Sequence, residues 1–238
     1  MSKTLRRVQT TAPWLLAGAL ILIPPAPAAA TGFLPDGTYE YAFKQGANVV
    51  ANSTVTVKRS GSVISIHEAQ TVMQTQVGQV ELTADQTVVA DSIQPLSFSG
   101  ITVSSGKTSE VKFAYANGSG FFVVNGERLS VPVRMLPGTQ AMLVQDQSLA
   151  MSFLTLPSVL SASRAFSLTV VVPTASRTFI MSVDPSPQTK PPGLPGADVG
   201  VGIITPTVFS VWFDPSTGIV DEVDVPSQSL TINLTKKS

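Results

Sequence analysis

Apolar residues at every second position, in short stretches cut by Gly, Asn and Asp at intervals of roughly ten residues, constrain this chain more than any other feature. A side chain every two residues points to the same face only in an extended strand. Tyr39, Tyr41 and Phe43 follow Asp36-Gly37 at that spacing and put three aromatics on one face. Gln45-Gly46-Ala47-Asn48 turns the chain, and Val49 to Lys58 continues with Val55 and Val57 set against Thr54 and Thr56. After Ser60-Gly61-Ser62, Val63 to Thr71 returns with Ile64 and Ile66 on one face and His67 on the other. Strands joined by such tight turns pair antiparallel, as a meander.

The same reading predicts strands at 77–84, 94–104, 107–116, 120–125 and 127–134, separated by Ser105-Gly106, Asn117-Gly118 and Asn125-Gly126. Asn-Gly tolerates positive φ at both positions and is a strong hairpin signal. Later strands are predicted at 166–172, 177–183, 198–204, 206–213, 219–225 and 229–235, with Asp214-Pro215-Ser216-Thr217-Gly218 as a further turn.

One segment breaks the period of two. From Gln147 to Ser163, Leu149, Phe153, Leu156 and Leu160 recur at three- and four-residue spacing, behind Asp146 as a capping residue. Pro157 cannot sit inside a helix, so the spacing predicts one short helix ending near Thr155 and a second starting at Pro157. The stretch 184–196, with prolines at 185, 187, 191, 192 and 195, is predicted as an exposed, partly extended loop.

Residues 1–30 read as a signal peptide: Lys3, Arg6 and Arg7, then an apolar run from Trp14 to Ile23, then Pro24-Pro25 and small residues. That run is too short to span a bilayer, which needs about 20 apolar residues. Cleavage is expected after Ala28 or Ala30, with export to the periplasm or exterior. The general secretory route is favoured over the twin-arginine one, because Val8-Gln9 lacks the apolar residue that follows Arg-Arg there. The chain has no cysteine, so neither a lipid-anchored N-terminal cysteine nor a disulfide is available. Residues 31–238 then form a single β-rich domain of 208 residues, with 12 basic and 15 acidic residues and a net charge of −3. No apolar run after residue 30 predicts membrane insertion, and no basic cluster with interleaved aromatics predicts nucleic-acid binding. Oligomeric state is left open.

Chemistry is sparse. His67 is the single histidine, so with no cysteine a zinc site lacks ligands, and a Ser-His-Asp set lacks its Gly-x-Ser-x-Gly elbow. Asp221-Glu222-Asp224 is read as the exposed side of a hairpin, and the glycines from 196 to 202 do not open a helix as a phosphate loop would. No catalytic residue, metal site or cofactor is expected. Tyr39, Tyr41, Phe43, Phe113, Tyr115, Leu149 and Phe153 are instead the candidate lining of an apolar ligand site on a curled sheet.

Four stretches also carry a resemblance: Gly37-Thr38-Tyr39-Glu40-Tyr41, Ile93-Gln94-Pro95-Leu96-Ser97-Phe98, Met142-Leu143-Val144-Gln145-Asp146-Gln147, and Val211 to Val220. In them the chain resembles bacterial exported proteins of unknown function that look related to periplasmic lipoprotein-carrier half-barrels. The resemblance implies a strongly curved antiparallel sheet, a half-barrel or open barrel, with a short helical segment across its concave side. It also implies acyl-chain binding in the concavity, and it transfers no catalytic residue. The proline loop at 184–196 departs from the pattern, in a way that bears on what covers the cavity mouth. Against a carrier stand two other readings: a structural or adhesive module with a filled core, and a hydrolase built on converging carboxylates.

Overall fold

The computed structural model describes residues 35–238, apart from 74–77, 131, 147, 161–164, 185–187, 197 and 206. The segment 1–30, and with it the expected leader, lies outside the described residues.

Eight strands run from the start of the domain: β1 (Gly37–Gln45), β2 (Asn48–Ser60), β3 (Val63–Val72), β4 (Val80–Val89), β5 (Pro95–Ser104), β6 (Lys107–Ala116), β7 (Ser119–Val124) and β8 (Glu127–Arg128). Then come β9 (Met142–Val144) and the helix α1 (Met151–Leu154). Six more strands complete the fold: β10 (Phe166–Val172), β11 (Arg177–Asp184), β12 (Val199–Thr205), β13 (Phe209–Phe213), β14 (Val220–Val225) and β15 (Leu230–Lys237). All fifteen strands join one sheet in the order β8-β7-β6-β5-β4-β3-β2-β1-β15-β14-β13-β12-β11-β10-β9. Two meanders are therefore stitched together where β1 pairs with β15, and Thr38 and Ser238 exchange backbone hydrogen bonds there at 2.8 and 2.9 Å. Every pairing is antiparallel except that of β9 with β10. The sheet curls strongly but does not close, since β8 and β9 remain its two edges.

Local chemistry explains the curl. Tight turns at Ser105-Gly106, Asn117-Gly118 and Asn125-Gly126 have positive φ at both central residues, the geometry that matches strand twist. Register shifts in β1, in the β4–β5 pairing and in the β13–β14 pairing add extra residues on one side of a ladder, which bends the strand and increases its twist. Ile93, in the turn before Pro95, has φ of 56°. That is strained for a β-branched residue, by about 1–3 kcal/mol. Its side chain is buried in the core, which offsets a cost of that size by about 2–3 kcal/mol.

Inward side chains from all parts of the sheet, together with Leu149 to Leu156 and Leu160, form one hydrophobic cluster. The helical segment is thus a plug on the concave side. It is shorter than its apolar spacing predicts: α1 ends at Leu154, with Thr155 as its C-cap, and Pro157 to Val159 form a turn and not a second helix. The rest of that predicted helix, at 161–163, lies outside the described residues. Two strands also differ from expectation. β4 runs on to Val89, well past residue 84, because Gln86 and Val88 continue the buried alternation of Ala84. The strand expected over 127–134 stops at Arg128, after which Val133 makes only an isolated bridge to Gly120. From there the chain crosses to the opposite edge of the sheet, where β9 pairs with β10.

The proline loop packs on the outer face of the sheet. In β13, Phe209, Val211 and Phe213 join the core, whereas Trp212 is buried outside it. Gln188 lies over Gly200 and Gly202 of β12 and accepts a hydrogen bond from Ser210 Oγ at 3.1 Å. Lys190 Nζ ties the loop to itself, donating to the carbonyls of Pro195 and Gly196 at 2.7 and 2.9 Å. A methyl group on Gly200 would stand 2.6 Å from Trp212 Nε1 and 2.9 Å from Gln188 Cβ. The described part of this loop therefore lies beside Trp212 on the outer face. Gly200→Val is expected to lift Gln188 off the sheet, red-shift the emission of Trp212 and destabilise the fold by about 1–3 kcal/mol. Tryptophan fluorescence during urea unfolding measures both effects.

Candidate functional site

Strict alternation in β3 carries Ile64, Ile66, Glu68 and Gln70 to the buried face. A carboxylic acid therefore stands where a core residue is expected, and Glu68 is fully buried. Three donors converge on it. Ser53 Oγ of β2 donates to Oε1 at 2.6 Å, the N–H of Ala150 to Oε1 at 3.0 Å and the N–H of Met151 to Oε2 at 2.7 Å. The first free N–H groups of a helix need acceptors. Here a strand residue across the fold supplies them, because Ala150 itself has no capping side chain. Burial pushes the Glu68 carboxyl up to about 7. The hydrogen bonds from Ser53, Met151 and Ala150 oppose that rise without cancelling it, and the charge of Asp146 adds to it.

Asp146 begins the plug differently from a simple helix cap. Its Oδ1 accepts from the N–H and the hydroxyl of Ser148 at 3.1 and 2.6 Å, and its Oδ2 accepts from Thr174 Oγ1. Ser152 Oγ in turn accepts from the Asp146 N–H at 2.8 Å. Asp146 thus ties the entry of the plug to the β10–β11 hairpin, five residues ahead of the first residue of α1.

The seven residues expected to line a ligand site all face inward and all are buried in the same core. Tyr39, Tyr41 and Phe43 pack under β1, and the tyrosine hydroxyls donate to backbone carbonyls of Pro35 at 2.8 Å and Val220 at 2.9 Å. Phe113 stacks at a tilt against Tyr115 and Phe122, and Phe153 meets Phe209 edge to face at 5.7 Å. Leu149 borders a cleft of about 280 Å³ between the plug and the curled strands β4 to β7, while Phe113 and Tyr115 line two other clefts on the sheet. The walls of the Leu149 cleft include Leu82, Ala84, Phe98, Val111 and Val124.

His67 is exposed on the outer face of β3 and pairs with Asp85 at 2.8 Å. Asp221, Glu222 and Asp224 are half-buried, not exposed as the hairpin pattern suggests, and a register shift leaves Asp221 as the extra residue of β14 opposite β13. Burial and the neighbouring Asp198 raise the Asp221 carboxyl to about 6. Asp198 is buried, with no neutral or cationic donor to either oxygen among the described residues. Below about pH 6, protonation of Asp221 relieves the repulsion between the two carboxylates. Among the described residues no group of three or more His, Cys, Asp or Glu is arranged to hold a metal ion, and no helix is long and apolar enough to cross a membrane.

No family model and no curated protein matches the chain. Among solved structures, the chain is similar to a β-barrel-like protein of the domain of unknown function DUF1849 from Brucella abortus. The superposition has a TM-score of 0.51 and 10% sequence identity, over 87% of this chain and 98% of that one. At that identity the likeness is one of fold: a bacterial β-barrel-like protein of unknown function shares this architecture.

The geometry of Glu68 sets a pH dependence. A carboxyl whose folded value exceeds its unfolded one binds more protons when folded, so stability falls as pH rises between the two values. Between pH 4.5 and about 7, Glu68 is expected to remove about 3 kcal/mol of stability. Asp221 adds a slope of the same sign at lower pH, up to about 6. Glu68→Gln keeps one acceptor oxygen and places an NH₂ against the plug, so it is expected to cost about 1–3 kcal/mol at pH 5. It also flattens the slope above pH 6. Urea denaturation of both proteins from pH 4.5 to 8 measures this, and an unchanged slope in the variant would contradict it.

Proposed function

We propose that this chain is an exported, non-enzymatic binding protein that holds one acyl chain, or an apolar group of similar size, in the cleft beside Leu149. The observation that carries the reading is the apolar cleft of about 280 Å³ left between the plug and strands β4 to β7. A water molecule occupies about 30 Å³ in the liquid, so the cleft has room for a short acyl chain and not for a whole lipid. Its size is near the lower end of ligand pockets, about 300 Å³. The head of such a ligand would remain at the open mouth, toward Thr174 and Ser109. The resemblance to lipoprotein-carrier half-barrels supports the same class of ligand by analogy of fold. Export to the periplasm or exterior rests on the leader pattern of residues 1–30.

A specific observation favours the second reading, a structural or adhesive module with a filled core. All seven expected lining residues are buried in one continuous hydrophobic core, and Phe113 and Phe153 pack ring to ring with Phe122 and Phe209. The two readings separate on one variant. Ala84 is buried in the wall of the cleft, and Ala84→Leu fills part of it. For a carrier, native mass spectrometry of protein purified from its own host shows bound acyl species, and Ala84→Leu reduces occupancy about tenfold with stability changed by about 1–3 kcal/mol. For a filled module, no acyl species is carried by either protein.

A further inference from the structure

The outer face of the first meander is not evenly convex. Three surface clefts, of about 420, 330 and 460 Å³, follow one another across strands β2 to β8. The first and second share Asp85 and Thr87, and the second and third share Ala114 and Phe121, so together they form one groove. Ladder register explains its course. Lys58, Ser65, Thr87, Ser97, Ala114 and Phe121 stand opposite one another in successive strands from β2 to β7, and directly opposed residues share a face. Ser65, Thr87, Ser97 and Ala114 are small, so this row is a trough running at right angles to the strands. Neighbouring strands lie about 4.8 Å apart, which makes the trough about 24 Å long.

Its lining offers hydroxyls and positive charge. The Thr87 and Ser97 hydroxyls share one hydrogen bond at 2.6 Å, which leaves a hydroxyl hydrogen and acceptor lone pairs for a ligand. Ser65 adds an exposed hydroxyl. His67, Asp85, Ser99 and Lys112 form the neighbouring row. Lys58 lies at one end of the groove, Lys112 in its middle and Arg128 at the other end. Asp85 is the one carboxylate among the lining residues, and His67 pairs with it at 2.8 Å. Lys112 pairs with Glu110 at 2.7 Å, whereas Lys58 and Arg128 have no carboxylate partner among the described residues. The Arg128 guanidinium is held flat over the Phe121 ring, 3.9 Å from its centroid. Stacked in this way it keeps its edge N–H groups free, in the fork that fits a carboxylate. Backbone groups offer nothing to a ligand here, because the ladders on both sides of each inner strand use them. An extended peptide binds a sheet through a free edge, so it does not suit a groove that crosses the strands.

We propose that this groove binds a linear acidic glycan, with its hydroxyls against Ser65, Thr87 and Ser97 and its carboxylates on Lys58 and Arg128. Sugar rings present hydroxyl donors and acceptors at short intervals, which matches a row of side-chain hydroxyls. Uronate carboxylates supply the negative charge that the two unpaired cations meet. The groove is on the opposite face of the sheet from the acyl cleft beside Leu149, and either site can fail without the other.

Digalacturonate, hexagalacturonate, maltohexaose and hexaglutamate separate the contributions of length, charge and hydroxyls. Calorimetry measures affinity for the purified protein, and the backbone amide NMR signals of Ser65, Thr87, Ser97 and Ala114 report where binding occurs. Hexagalacturonate is expected to shift those signals and to bind about tenfold more tightly than each of the other three, with an affinity that falls as salt is raised. Arg128→Gln is expected to weaken hexagalacturonate about tenfold and leave maltohexaose unchanged. Ala114→Glu, which sets bulk and negative charge on the floor of the trough, is expected to weaken hexagalacturonate by at least about tenfold. Both residues are exposed, so both variants fold. The assignment is overturned if hexaglutamate binds as tightly as hexagalacturonate, if two sugar units bind as well as six, or if the four amide signals do not respond. Either variant binding hexagalacturonate as the parent does also overturns it.

Discussion

The contact between Glu68 and the first N–H groups of the plug holds the interior of this protein in register. A sheet curled this far leaves a concave space that its own side chains do not fill, and the segment 148–160 must enter it. A helix of four residues has little stability of its own. Its exposed N–H groups would be a cost inside a core. Glu68 meets two of them and is itself positioned by Ser53. An acid whose carboxyl is pushed up to about 7 by burial is a costly fastener. A neutral acceptor would avoid the desolvation, but only a carboxylate offers two oxygens to two adjacent N–H groups and a hydroxyl at once.

Around that fastener the architecture follows from connectivity. Because β1 pairs with both β2 and β15, the two ends of the domain meet in the middle of the sheet. The two free edges are formed instead by the short strands β8 and β9. Short edges expose few unpaired backbone groups and resist edge-to-edge association. With no cysteine in the chain, this stitching and the single continuous core hold the fold without disulfides.

The plug does not fill the concavity evenly. It leaves an apolar cleft toward β4–β7 and a second cleft of mixed lining toward β10–β13, with the Asp146–Thr174 hydrogen bond between them. On the opposite face the proline loop lies over two glycines and shelters Trp212. The chain therefore spends its irregular segments in two different ways: one inside, to occupy space, and one outside, to cover an aromatic residue.

Much of the strand layout was legible from residue order alone, since alternation and Asn-Gly turns are local properties that survive any packing. β5, β6 and β7 fall within one or two residues of where their turns put them. The mainly β, strongly curved antiparallel sheet with one short helical cover follows from the same signals. The parity that places Ile64 and Ile66 inside also places Glu68 inside, so the key acid was visible as a conflict between face and charge. Its partners were not, because Ser53 and Ala150 are 15 and 82 residues away in sequence, and only the folded sheet brings them together. Likewise the spacing of Leu149, Phe153, Leu156 and Leu160 promised a longer helix than forms. A buried segment answers to the space available, and Pro157 and the sheet wall allow one turn. Which aromatics fill the core and which apolar residues are left lining a cleft was decided by tertiary packing alone. Periodicity assigns a side chain to a face, and the volume on that face depends on every strand that curls over it.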